Sequence, residues 1–325
     1  MIIHMTRKLQ VSALAIVAVL AGAGSVEASP PGVAGGPIAV GANASSTQQT
    51  WTPARMRRAE ANAAQSRQQR RKRRRRPHWT SLNSGAKPVT TDLPGTRTIG
   101  RLFSKRPDGS DWVCSATLVD STNRSVVWTA GHCVHSGRGG APHTNFAFVP
   151  GYRPAAAGGP APFGIWPATY WGASQGWTIE GDATHFRRDF GGVVLAKDGL
   201  GRTLTDVLGV AQHIAFARKA PTKAAVLGYP ALPPFDGESL FQCGPNRLGR
   251  TGRVGGTGPD PVGISCSQTA GTSGGPWLRD RDRATNVGTL VSVTSVKASG
   301  LPRLYGPVLN SVARRVHAVL SAIPN

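Results

Sequence analysis

No stretch of this 325-residue chain is both long and apolar enough to span a membrane. The longest apolar run, Leu9 to Gly24, is broken only by Gln10 and Ser12. As a helix it would reach about 24 Å at 1.5 Å per residue, short of the ~20 residues a span needs. A mean hydropathy of −0.20 gives no sign of a membrane domain elsewhere. Cysteines are few, four in all, with no Cys-x-x-Cys pair and no histidine-rich spacing, which argues against a zinc site. Acidic side chains are scarce too, 16 against 38 Lys and Arg, for a net charge of +22. Residues 1–87 alone carry +12 of that excess, and their composition is not that of a folded domain.

What is present at the start reads as an export signal. Arg7 and Lys8 form a basic head, Leu9–Gly24 the apolar segment, and Val26-Glu27-Ala28 a small-residue cleavage site. Residues 1–28 are therefore expected to be a signal peptide and the protein to be secreted. From 29 to 94 the chain is rich in Ala, Gly, Pro, Ser, Gln and Arg, too poor in large apolar groups to offset chain entropy. It reads as a disordered, polybasic pro-segment or linker, with a weak helical tendency from Pro53 to about Gln69. Arg70, Arg71, Lys72, Arg73, Arg74, Arg75 and Arg76 close it. Behind an export signal such a block suits a processing site or a tether to an anionic surface better than a specific nucleic-acid site. A solvated linker is the plain alternative.

Residues 95–325 read as one folded domain. Short apolar runs separated by Gly, Pro, Asn and Asp predict strands at Thr96–Phe103, Asp111–Val119, Ser125–Thr129, Asn145–Val149 and Phe190–Ala196. Further strands are predicted at Ala224–Leu227, Leu240–Cys243, Gly249–Val254, Thr289–Val296 and Leu304–Val308. Only Leu309 to Ile323 has helical spacing, with Val312, Val316, Val319 and Leu320 on one face. The class is all-β, closed by one C-terminal helix. All four cysteines fall in this domain, as two disulfides in an exported protein would. Three pairings are open; Cys114–Cys133 would staple neighbouring strands and leave Cys243–Cys266 to close a loop of about 24 residues, worth roughly 3 kcal/mol.

Two stretches carry chemistry. Ser267-Gln-Thr-Ala-Gly-Thr-Ser-Gly-Gly-Pro-Trp277 sets Ser273 among glycines that can turn backbone N–H groups one way. Alone, such a run is most often a turn between strands. Ser125-Val-Val-Trp-Thr-Ala-Gly-His-Cys133 delivers His132 at a strand end beside a cysteine, a setting the other seven histidines lack. A hydroxyl with a histidine base is a nucleophile.

Thr129-Ala-Gly-His-Cys133 together with Gly271-Thr-Ser-Gly-Gly-Pro276 resembles the secreted bacterial trypsin-like (chymotrypsin-fold) serine proteases, over about residues 97–310. Gly228-Tyr229-Pro230 is similar to a motif of members allied to glutamyl endopeptidases. The resemblance implies two six-stranded antiparallel Greek-key barrels, a disulfide from Cys114 to Cys133, and a serine endopeptidase acting as a monomer on proteins or peptides without metal or cofactor. It assigns His132, Ser273 and an acid between them. Asp189, just before the buried run Phe-Gly-Gly-Val-Val-Leu-Ala196, is preferred over Asp182, which loop-like residues follow. Backbone N–H groups of Gly271 and Ser273 would form the oxyanion hole.

Ser267, six residues before the serine, stands where trypsins carry an aspartate, and no acid lies between Cys266 and Ser273. Ser295, Val296 and Lys297 align with the segment that pairs with substrate backbone, where Lys297 would favour an acidic side chain or simply be solvated. Thr272 replaces the aspartate that, in the animal enzymes, binds a newly cut N-terminus, and no Ile-Val-Gly-Gly start is present. Activation by that ion pair is therefore not expected. The competing function is a catalytically weak binding protein on the same fold, held to anionic surfaces by its arginine-rich arm.

Overall fold

The computed structural model describes residues 30–38, 49–59, 85–217, 221–250 and 254–325. The expected signal segment and the block Arg70–Arg76 lie outside them. Two strands come from ahead of residue 95: β1 (Val33–Pro37) and β2 (Lys87–Pro88).

Six antiparallel strands close the first barrel: β3 (Ile99–Lys105), β4 (Asp111–Leu118), β5 (Val126–Thr129), β6 (Thr144–Pro150), β7 (Trp166–Ser174) and β8 (Gly191–Leu195). Their order is β7-β6-β3-β4-β5-β8, and a β7–β8 ladder shuts the cylinder. Every residue of β5 and β8 is buried, Trp128 and Val193 among them, and so are Phe103 on β3 and Phe148 on β6. Strand β7 falls in a region whose Gly, Pro, Ala and Trp content reads as loop. Its ladder with β8 shifts register between Ala168 and Tyr170, which breaks the two-residue alternation that marks a strand.

The second half holds β9 (His213–Ile214), β10 (Lys223–Gly228), β11 (Phe241–Arg247), β12 (Gly249–Arg250), β13 (Val262–Ser265), β14 (Pro276–Arg279), β15 (Thr289–Val293), β16 (Val296–Lys297) and β17 (Arg303–Gly306). They form two sheets, β2-β11-β10-β14-β15-β9 and β12-β13-β17-β16, and β9 runs parallel to β15. The predicted strand Thr289–Val296 divides where its partner changes. Thr294 donates its N–H to Gly275 beside β14, and Ser295 donates to Tyr305 on β17. That corner leads into the cleft described below. The disulfides are Cys114–Cys133 and Cys243–Cys266, as expected.

The C-terminal helix spans Ser311–Ala322 and starts where the Asn310 side chain accepts the Val312 N–H. It buries Val312, Ala313, Val316 and Leu320 against β7 and β8. The expectation of disorder from 29 to 94 meets three described pieces that lie on the domain. Strand β1 pairs with Tyr170–Ser174 of β7, and β2 pairs with Phe241–Gln242 of β11. Trp51, Met56 and Ala59 are fully buried. Trp51 donates its indole N–H to the Asn145 carbonyl at 2.7 Å and lies 5.3 Å from the Phe103 ring, while Arg55 pairs with Asp111 at 2.7 Å. Composition averaged over the segment hides one tryptophan with a socket to fill.

Candidate active site

Between the two halves lies a cleft of about 740 Å3 lined by His132, Asp189, Ser273 and Ser295–Gly300, with Arg106, Trp112 and His143 among its other walls. His132 enters from β5. Ala130 stays extended, then a single 3-10 turn, Gly131–Cys133, swings the imidazole out while the disulfide holds Cys133 to β4. Glycine is required at 131, because a Cβ there would stand 2.8 Å from the Trp177 ring and 3.1 Å from Asp189 Oδ1. Trp177 backs the imidazole at 6.1 Å between ring centroids and donates its indole N–H to the His135 carbonyl.

Asp189 precedes β8 and is buried, 1% exposed in its side chain against 19% for His132. Its Oδ2 meets His132 Nδ1 at 2.7 Å, and its Oδ1 accepts the His132 backbone N–H at 2.7 Å. Ser295 Oγ donates a third bond, 2.5 Å long, to Oδ2. Both carboxylate oxygens are thus engaged by fixed donors, so the carboxylate has one orientation and holds the ring in one as well. Asp182 has other partners. It pairs with Arg138 at 2.6 Å, and hydrogen bonds from Thr184 and then His185 hold its carboxyl well below the usual carboxylate range.

Ser273 arrives on a turn that only glycine can make at two points. Gly271 has φ +102°, with the Tyr229 oxygen 2.4 Å from where a Cβ would be; Gly274 has φ +77° and packs against Thr129 Oγ1. The peptide between Ala270 and Gly271 is fixed by the Ala231 N–H, which donates to the Ala270 oxygen at 2.7 Å. Ser115 serves the turn twice, its N–H donating to the Ser273 carbonyl at 2.7 Å and its Oγ to the Gly271 carbonyl at 2.8 Å. Among the described residues the N–H groups of Gly271 and Ser273 have no acceptor. Ser273 Oγ shares the cleft with the imidazole without a hydrogen bond to it.

The substrate-facing residues expected from sequence are partly gathered. Ser295, Val296 and Lys297 line the cleft. The Lys297 ammonium donates to the Gln268 carbonyl at 2.7 Å and reaches that of Ser267 at 3.5 Å. Ser267 itself is not among the lining residues; its Oγ accepts the Ala86 N–H at 2.9 Å. Thr272 is fully buried, its methyl group against Gly228, with no carboxylate where the animal enzymes have one.

Sequence reasoning missed Arg101, Ser115 and His143. Arg101 is fully buried on β3 and donates from Nη1 to the Tyr229 carbonyl at 2.9 Å and the Gly271 carbonyl at 3.4 Å. Its only signal is a cation inside an apolar run. His143 sits between Ser104 Oγ and Ser136 Oγ, and burial pushes its imidazole down to about 3.

No family model matches the chain, and no curated protein matches it in sequence. Solved structures do. A thermostable serine protease, AL20, from an extremophilic microorganism is 34% identical; the match covers 70% of this chain and 97% of that one, with a TM-score of 0.61. Protease Anisep from Arthrobacter nicotinovorans is 32% identical, covering 73% of this chain and all of its own, with a TM-score of 0.62. A Glu endopeptidase, solved in complex with MPD, is 17% identical at a TM-score of 0.52 and shares the fold.

Proposed function

The chain belongs to the trypsin-like, chymotrypsin-fold serine proteases, and from that premise we propose that it is a secreted serine endopeptidase working through Ser273, His132 and Asp189. One observation carries the reading. An imidazole held at Nδ1 by a buried carboxylate shares a cleft with Ser273, and among the described residues the N–H groups of Gly271 and Ser273 have no acceptor.

Ser273 Oγ attacks the scissile carbonyl carbon as His132 Nε2 takes its proton. The carbonyl electron pair moves onto oxygen, where the N–H groups of Gly271 and Ser273 donate to it; one such donor is worth about 2.7–4 kcal/mol in well-studied enzymes. Collapse breaks the C–N bond, and His132 passes its proton to the leaving amine. Water then attacks the acyl-enzyme by the same route and releases Ser273. Asp189 keeps the Nδ1 proton in place and stabilises the imidazolium while it lasts.

Secretion rests on the signal-like segment 1–28, and the two disulfides suit an oxidising compartment. The substrates are proteins or peptides, and the enzyme acts as a monomer. The block Arg70–Arg76 serves as a tether to an anionic surface. Because the Lys297 ammonium is bound by two backbone carbonyls, it is poorly placed to select an acidic side chain in the primary pocket.

The test is labelling with a serine-directed phosphonate and hydrolysis of a denatured protein, each with Ser273→Ala alongside. Wild type is expected to be labelled at Ser273 and to hydrolyse, the variant to do neither while remaining folded. Labelling at another serine would sink the assignment.

A further inference from the structure

We propose that the cleft contains a subsite for an acidic side chain on the leaving-group side of the scissile bond, formed by the Arg106 guanidinium resting on Trp112. The inference rests on the endopeptidase reading above.

Two cations line the cleft, and the structure treats them differently. Lys297, on β16, is bound by the carbonyls of Gln268 and Ser267. Arg106 closes the β3 end of the hairpin to β4, where its backbone N–H donates to the Ser110 carbonyl. Its guanidinium carbon lies 4.7 Å from the centroid of the Trp112 ring. Among the described residues that guanidinium makes no hydrogen bond and no ion pair. The nearby carboxylate of Asp108 is taken by the N–H and hydroxyl of Ser110. Stacking on an aromatic face orders an arginine without using its five donors, which leaves the fork available for a carboxylate.

The neighbours support the same chemistry. Trp112 meets His143 edge-on at 6.5 Å, and His143 is held between two serine hydroxyls. The floor behind the guanidinium is therefore rigid. Of the acids that line the cleft, Asp189 is bonded to His132 and Ser295, and Asp182 pairs with Arg138. Neither competes for Arg106. An incoming carboxylate would find a two-pronged donor in a partly enclosed cleft, where a charge-assisted bond is stronger than on an open surface.

Sidedness follows from what flanks Ser273. Ser295, Val296 and Lys297 extend along one flank, the segment expected to pair with substrate backbone on the acyl side. The other flank is β4, whose Ser115 N–H holds the Ser273 carbonyl; Trp112 lies three residues before Ser115 on that strand. A peptide that pairs with β16 up to its scissile bond continues past Ser273 toward Trp112 and Arg106.

The experiment uses the full-length protein and quenched peptides of one cleavable sequence. Each of the three positions on either side of the bond is in turn Glu, Gln or Lys. Wild type is expected to favour Glu about 10- to 150-fold in kcat/KM at the first or second position after the bond, the range of one charge-assisted contact. The preference should vanish in Arg106→Gln, pass to Lys in Arg106→Glu, and fade near 1 M salt, where the screening length is about 3 Å. Each protein's rate on the all-Gln peptide is its own reference, so the readout is the ratio of Glu to Gln within one protein and does not require equal basal rates. Equal rates for Glu and Gln after the bond in wild type would overturn the subsite and leave the endopeptidase reading standing. So would a preference that survives Arg106→Gln. Failure of wild type to cut any peptide would overturn both.

Discussion

Arg101 and Gly271 are 170 residues apart, yet the guanidinium of the first donates to the carbonyl of the second from a fully buried position. A strand of the first barrel thus steadies the turn of the second half that presents Ser273. In this chain Thr272 is buried against Gly228 and brings no charge, and the turn is braced from within the fold.

Replacing Arg101 by Met should strip the Tyr229 carbonyl of its donor and leave the Gly271 carbonyl with Ser115 Oγ alone. A buried carbonyl left without a partner costs about 1–3 kcal/mol. Turnover is expected to fall at least about tenfold with KM little changed, since the loss bears on donors used only in the transition state. Arg101→Lys should recover part of it. Steady-state kinetics beside urea melts separate the two effects, and an unchanged kcat in a folded Arg101→Met protein would disprove the brace.

Asp189→Asn keeps the shape of the side chain but not its capacity to accept both His132 bonds. A drop of about 10⁴-fold in kcat is expected, the size such a change has in a well-studied triad. Ser295→Ala removes one donor from the same carboxylate, and a hydrogen bond to a charged group is worth about 1.5–3 kcal/mol. Its effect on kcat should be well below that of the asparagine variant. Single-turnover acylation rates distinguish them.

Trp51 lies far ahead of the protease-like sequence, but its full burial against Phe103 and its bond to Asn145 make it part of the core. Trp51→Ala should destabilise the domain by about 3–5 kcal/mol, as large-to-small core changes of this kind do. In the same way, a chain cut within Arg70–Arg76 should elute as one particle, its upstream fragment still bound. Calorimetry and size-exclusion chromatography with mass analysis of the peak check these outcomes.

Acid should weaken the fold before it titrates any carboxylate. His143 is pushed down to about 3, by burial first and by the charge of Arg106 next, whereas an unfolded histidine binds its proton near pH 6.5. Below that pH the unfolded chain takes up a proton that the folded chain refuses. The contribution is complete above about pH 6.5 and drains away as pH falls toward 3, by at most about 1.4 kcal/mol per unit for one group. Burial holds His135 and His317 down as well, adding in the same direction. Urea midpoints measured against pH should fall on this acid limb, and His143→Gln should flatten it.

His132 and Ser273 were legible because each sits in a local motif whose small residues are there for backbone geometry. Asp189 was legible from its place before a buried run. The rest depends on contacts that local sequence does not encode. Arg101 reads as a polar interruption of a strand until Gly271 is seen beside it. β7 was hidden by the irregularity at Ala168–Tyr170, and Trp51 by the polar residues around it. The corner at Thr294–Ser295 reads as one strand because both sheets ask for the same apolar alternation. Arg106 and Trp112 meet across a hairpin turn, and their joint use depends on the cleft alongside.

The segment at Pro31–Gly32 also meets the last helix. Arg315 donates to the carbonyl of Pro31, 284 residues away, and Gly32 packs on Val312 while accepting the Gln175 N–H. Contacts of such sequence separation are slow to form, because the loop between them must close first. During synthesis β1 emerges well before part of its seat, the helix Ser311–Ala322. The domain can therefore finish folding only once that helix is available, and until then the turn that bears Ser273 lacks a completed scaffold behind it.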